Sequence, residues 1–283
     1  MTFKPESIFE NLLFTTVRIE ATLPNNLISI GTGFIFNYVK NDKQILFIVT
    51  NKHVIKDSTK GKLTFTLSDG EKPILGKVHT IVIPNFEEAW IGHPQQDIDV
   101  AIMPFSVVVN TLSNKGVQIF FKSVTPDLIP SDKLLREEID AVEDIVFIGY
   151  PNNIYDRRNL LPVVRRGITA TPISVDFEGR PAFLIDASIF PGSSGSPVFL
   201  CNIGSYPLKS GEGGFVIGSR VLFLGVVASV FIRKDLNTIE LIDIPTGKVP
   251  VVAITQMVDI GMVYKSIVIK ELIEEFLKTR DEI

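Results

Sequence analysis

The run FPGSSGSP at 190–197 sets Ser194 between Gly192 and Gly195, with the strand-like LIDA before it and VFL after it. Glycines so placed let the backbone fold tightly enough to aim neighbouring N–H groups at one point. A developing oxyanion could sit there while the serine attacks a carbonyl. The same composition also suits a plain Gly/Ser loop between strands. A second feature is His53 in IVTNKHVI, just after an apolar stretch. His79 and His93 have no comparable setting, and His93 with Asp97 supplies too few ligands for a metal. The third is Asp99, which opens an apolar run, with Asp97 two residues earlier and on the same face if this is a strand.

Each feature alone is ordinary, and each has a bland structural reading. Together they supply a serine, a histidine able to take its proton, and an acid able to fix the histidine tautomer and stabilise the imidazolium. The chain order is His53, Asp99, Ser194. Other frames fail. The pattern G-x-S-x-G would need glycine where Ser196 stands, and its partners follow the order Ser, Asp, His. Gly31-Thr32-Gly33 is followed by Phe34-Ile35-Phe36, so the dinucleotide fingerprint is missing, and neither a P-loop nor a cysteine–histidine metal spacing occurs. The expectation is therefore no cofactor and no metal.

Such residues need a scaffold, and the chain can build one. It has 283 residues, 45% of them hydrophobic and 21% charged, with a net charge of -4. Disorder needs low hydrophobicity and high net charge, and the mean hydropathy here is +0.28. A sequence pI ≈ 5.5 argues against a nucleic-acid partner. The single cysteine, Cys201, allows no intrachain disulfide, leans toward a reducing compartment, and reads as a buried apolar thiol. Glu6 and Glu10 interrupt what would be a signal core. The apolar run 221–232, bracketed by Arg220 and Arg233, is shorter than the roughly 20 residues a membrane helix needs. A soluble, cytoplasmic protein without a membrane partner is expected.

Short runs rich in Val, Ile, Phe and Thr recur between Gly, Pro, Asn and Asp. That spacing predicts many short strands, as in a sandwich or barrel, and no regular βα alternation. The strands fall into two groups, 12–108 and 142–262. The predicted organisation is a first β-unit over 1–110, a connector over 111–141 and a second β-unit with a terminal helix over 142–283. Two helices are predicted, over 131–142 and 264–278.

At these residues the chain resembles the chymotrypsin/trypsin-like serine peptidases, especially their disulfide-free bacterial branch. The resemblance rests on GTGFIF (31–36), TNKHV (50–54), DVAIM (99–103), GYP (149–151), RRGI (165–168), DASIFPGSSGSP (186–197) and GVVAS (225–229), in the family's order. It implies an all-β fold of two six-stranded antiparallel β-barrels with a C-terminal helix and the active site between the barrels. It implies a serine endopeptidase working through an acyl-enzyme, with Ser194 as nucleophile, His53 as general base and acid, and Asp99 as orienting carboxylate. The N–H groups of Gly192 and Ser194 would form the oxyanion hole.

The resemblance also points to a substrate pocket with Ser188 at its floor and Ser229, Val230 and Gly261 in its walls. No acid stands at the floor, so a small or apolar residue is expected before the cleaved bond. Zymogen members carry aspartate where Ser193 stands, so activation by N-terminal cleavage is not expected. The substrate would be a protein or peptide. The competing reading is a silent or latent module that binds peptides, with an activating partner protein.

Overall fold

The computed structural model of the protein describes residues 3–209, 214–238 and 251–281. Its first half holds strands β1 (Thr16–Thr22), β2 (Ile28–Lys40), β3 (Lys43–Thr50), β4 (Lys60–Ser68), β5 (Pro73–Pro84), β6 (Ile91–Gly92), β7 (Ala101–Pro104) and β8 (Ile119–Phe120). Helices α1 (Ile8–Leu12), α2 (Lys52–Ile55) and α3 (Ser106–Asn114) lie among them. The strands pair antiparallel in the order β5-β4-β1-β2-β3-β7-β6, with β8 added to β4. The two ends of this path, β5 and β6, are joined by residues 85–90. A flat sheet of seven strands would hold its edges about 29 Å apart, and so short a link reaches about 24 Å at most. The sheet must therefore curl back on itself.

The second half holds β9 (Asp144–Gly149), β10 (Val163–Thr169), β11 (Ala182–Asp186), β12 (Pro197–Asn202), β13 (Ser205–Pro207), β14 (Phe215–Ile217), β15 (Arg220–Thr238) and β16 (Val251–Lys265). Helix α4 (Asp132–Glu137) precedes them and α5 (Ser266–Asp281) ends the described chain. Six of these strands close into a barrel in the order β10-β11-β16-β15-β12-β9, and β13 pairs with β14 as a separate hairpin. The fold is the expected mostly-β arrangement with a C-terminal helix.

Period-two alternation explains how the halves join. Successive strand side chains point to opposite faces, so each strand at the seam serves two cores. In β2, Ile35 belongs to the interior of the first half, while Phe34 and Phe36 face the second. In β9, Ile145 and Phe147 fill the barrel interior, while Val146 and Ile148 face the first half. Phe199, Phe223 and Tyr264 complete this shared seam with Ile269, Leu272 and Ile273 of α5. The rings of Phe34 and Phe223 meet edge-on at 5.3 Å. Each fully buried ring of this kind stabilises by about 2–3 kcal/mol, so the seam is as much a core as either interior.

Several elements differ from the sequence expectation for identifiable reasons. Tyr264 and Lys265 stay in β16, because Tyr264 pairs with both Ala182 and Val226, and α5 starts only at Ser266. Ser131 caps α4 as its residue type suggests, accepting from the Leu134 N–H at 3.2 Å. That helix ends by Glu138, leaving Ile139 to join the second barrel interior. Helix α3 (SVVVNTLSN) is not one of the two predicted helices, and its β-branched residues have modest helix propensity. It forms because Val108 and Val109 pack against the first core and Leu112, on the same face, is buried, and packing overrides propensity.

Candidate active site

Strand β3 delivers the chain to the site, and the single-turn helix α2 turns His53 back toward β7. The pairing Thr50↔Ala101 holds the loops beyond β3 and before β7 side by side. Asp99 lies in the second of these loops, two residues before β7, and not inside a strand as its sequence suggested. Its carboxylate is spent on one residue: Oδ2 is 2.5 Å from His53 Nδ1, and Oδ1 accepts the His53 backbone N–H at 3.0 Å. Asn51, fully buried, donates its side-chain amide to the Asp99 carbonyl at 2.7 Å. With Nδ1 on the carboxylate, Nε2 is left as the acceptor. Asp97 is engaged through its backbone carbonyl, which accepts the Tyr264 hydroxyl at 2.5 Å. Strand parity does not govern either aspartate, since both stand in the loop.

Ser194 follows a tight turn. The Ser193 N–H donates to the Phe190 carbonyl at 2.9 Å, with Pro191 and Gly192 at the central positions and Gly192 at φ +92°. This is the residue pattern of a type II turn, whose third position favours glycine. A Cβ at Gly192 would also come within 2.5 Å of the Tyr150 carbonyl oxygen. Three carbonyls of the turn are anchored. Pro191 accepts from Asn152 N–H at 2.6 Å, Gly192 from the Thr32 hydroxyl at 2.8 Å, and Ser194 from Thr32 N–H at 2.9 Å. The N–H groups of Ser193, Gly195 and Ser196 each have a carbonyl acceptor. Among the described residues, those of Gly192 and Ser194 have none, so two donors next to the serine hydroxyl are unspent.

Ser194 and His53 line one cavity of about 220 Å³ with Ile189, Phe190, Pro191, Val227, Ala228, Ser229 and Val230. Two of the four expected pocket residues, Ser229 and Val230, are therefore in its wall. Ser188 and Gly261 are not among its lining residues, whereas Ile189 is. The resemblance placed Ser188 by its distance from Ser194 along the chain, and the segment 187–196 that joins them is irregular. Gly261 acts by what it lacks: a Cβ there would sit 1.9 Å from Ile189 Cδ1. Sequence reasoning also passed over Thr32 and the pair Asn152-Asn153. Their signals were a polar residue inside the apolar GTGFIF and an asparagine pair after GYP.

Charged neighbours surround the site without entering it. Lys52 donates to the Gln95 carbonyl at 2.9 Å, and burial lowers its pKa against the pull of Asp99 and Asp97. Burial, with the Lys52 charge second, lowers the pKa of His93. The Cys201 thiol is pushed up to about 12 by burial, which leaves it protonated and unreactive. Among the described residues no group of three or more His, Cys, Asp or Glu side chains could hold a metal ion. No helix among them is long and apolar enough to cross a membrane.

The trypsin-like peptidase domain matches residues 31–204 of the chain. No curated protein sequence matches it. Among solved structures it is similar to the HtrA-type protease AlgW with a tripeptide, at 14% identity and a TM-score of 0.49, over 95% of this chain and 62% of that one. It is also similar to a serine endoprotease from Yersinia pestis, at 15% identity and a TM-score of 0.46, over 96% of this chain and 68% of the other. A third similarity is to the tobacco etch virus protease with its product, at 13% identity and a TM-score of 0.43, over 81% and 73%. The chain thus spans less than two thirds of the AlgW chain.

Proposed function

Because the chain belongs to the trypsin-like peptidase domain family, we propose that it is a serine endopeptidase acting on proteins or peptides through an acyl-enzyme at Ser194. The observation that carries this reading is the juxtaposition at one cavity. A histidine locked to a carboxylate at 2.5 Å shares it with a serine flanked by two unspent N–H donors. In this reading His53 Nε2 takes the Ser194 proton as Oγ attacks the substrate carbonyl carbon. The negative charge then forms on the carbonyl oxygen, where the N–H groups of Gly192 and Ser194 receive it. His53 next gives the proton to the leaving amine, and the amide bond breaks. Water repeats the sequence on the acyl-enzyme, with His53 again as base, and releases the new carboxylate. Asp99 keeps the proton on Nδ1 throughout and stabilises the imidazolium without becoming protonated.

The cavity wall supports a small or apolar residue before the cleaved bond, since among the described residues Ser229 and Ser194 bring its only hydroxyls and His53 its only ionisable group. The anchored turn, with both donors unspent, favours a site assembled in the free chain over one awaiting an activating partner. The single, half-buried Cys201 needs no oxidising environment, and we carry a cytoplasmic setting as part of the proposal. The test is labelling by a fluorophosphonate probe. Wild-type protein is expected to be modified at Ser194, and Ser194→Ala and His53→Ala to be silent. A wild-type protein that resists the probe under all conditions would leave a peptide-binding module as the better reading.

A further inference from the structure

Asn152 and Asn153 both stand in the left-handed region, at φ 48° and 58°. Asparagine tolerates that region better than most residues, but two in succession store strain that the surroundings must hold. The hold comes from the other half of the molecule. Arg18 on β1, only 8% exposed, donates Nε–H to Asn153 Oδ1 at 2.8 Å. Its guanidinium pairs with Glu20 and lies over the Tyr155 ring, 5.3 Å from the centroid. Tyr155 in turn meets Tyr150 edge-on at 5.7 Å. Arg18 is thus a buried cation with three partners, and the proposed chemistry uses none of them.

The consequence lies one residue away. Asn152 N–H donates to the Pro191 carbonyl at 2.6 Å. Type I and type II turns differ by a flip of their central peptide, here the Pro191–Gly192 bond. In the observed form the Pro191 oxygen faces Asn152. The Gly192 N–H then points the opposite way, because N–H and C=O lie trans across a peptide plane. After a flip the Gly192 N–H would confront the Asn152 N–H, donor against donor, and the carbonyl oxygen would take the place of an oxyanion donor. The direction of the Asn152 N–H therefore reinforces the form that Pro191-Gly192 favours, in which that donor is available.

We infer that Arg18, acting across the barrel seam through Asn153, is a positioning residue that keeps the oxyanion turn in its donor-out form. The inference rests on the serine-peptidase reading above. Its test uses the full chain and the saturation kinetics of fluorophosphonate labelling, which separate the maximal rate from the half-saturating concentration. Asn153→Gly tolerates the left-handed backbone but lacks the acceptor, and Arg18→Met keeps the stem but lacks the donor. Each is expected to lower the maximal rate about tenfold or more with half-saturation unchanged. That loss stays below the 10²–10³-fold that deleting an oxyanion donor outright costs. Asn153→Asp, which keeps both the acceptor and the left-handed tolerance, restores the rate, and the double variant is no slower than either single one. An unchanged rate in Asn153→Gly overturns the inference, as does an Asn153→Asp as slow as Asn153→Gly or a defect confined to half-saturation. If Arg18→Met does not fold, the Asn153 pair decides alone. A wild-type chain that never labels removes the serine-peptidase reading itself, and the inference falls with it.

Discussion

Thr32 joins the two halves at the turn that carries Ser194, and its hydroxyl can be removed with almost no change of shape. The side chain is fully buried. Its Oγ1 donates to the Gly192 carbonyl at 2.8 Å and accepts the Tyr150 N–H at 3.1 Å. Valine in its place leaves a buried carbonyl and a buried N–H unpaired, at about 1–3 kcal/mol each. Thr32→Val is therefore expected to lose about 2–6 kcal/mol. Scaled by about 2.1 cal/mol/K per residue over the chain, this lowers the Tm by roughly 3–10 °C. Thr32→Ser keeps the hydroxyl and gives up one buried methyl, at about 1 kcal/mol, or roughly 2 °C. The assay is unfolding followed by the fluorescence of Trp90, the single tryptophan, which is 7% exposed in the first half. Labelling at Ser194 should slow in Thr32→Val and change little in Thr32→Ser, since only the former frees the Gly192 carbonyl. A Thr32→Val protein as stable as Thr32→Ser would show that the hydroxyl bridge contributes nothing, and the account of how the turn is anchored would fail with it.

Asp99→Asn should lower kcat on a cleavable peptide by about 10⁴-fold, since the imidazole loses its tautomer control; a loss under tenfold would remove Asp99 from the mechanism. Ile189→Ala takes away the side chain packed on Gly261 and should extend cleavage to larger residues before the scissile bond; an unchanged preference in a peptide library would refute the assignment of Ile189 to the pocket. His93 gives a pH test of stability. Burial, then the Lys52 charge, lowers its pKa in the folded chain below the ordinary 6.5, against weaker opposing pulls from Glu275 and Asp97. The unfolded chain therefore binds the proton more tightly, so this contribution to stability is complete above pH 6.5 and is lost as the pH falls below it. His93→Gln should flatten that decline in urea titrations at several pH values, and an identical decline in both proteins would rule His93 out as its source.

The local features of this protein were legible without coordinates because they obey local rules. Short apolar runs bounded by Gly, Pro, Asn or Asp marked strands at β2, β9 and β12, Ser131 marked a helix start, and the glycines around Ser194 marked a tight turn. Residue type and chain order also singled out His53, Asp99 and Ser194 as one candidate group. Other features depended on contacts between distant parts of the chain. Helix α3 formed against its own propensity because one face found a core. Asp99 stands in a loop and not in its expected strand, and Ile189 lines the cavity beside Ser194 from an irregular segment whose backbone has no period to count by.

The sequence by itself determined which side chains were available for chemistry and that two β-units would carry them. Only the tertiary structure decided how the turn before Ser194 is held. Its anchors, Thr32 and the Arg18–Asn153 pair, bridge residues more than a hundred positions apart. The physical reason is that a turn's two forms differ by one peptide flip, and the Pro191-Gly192 pair only biases that choice toward the observed form. Directional hydrogen bonds from across the barrel seam settle it, and no periodicity along the chain records them.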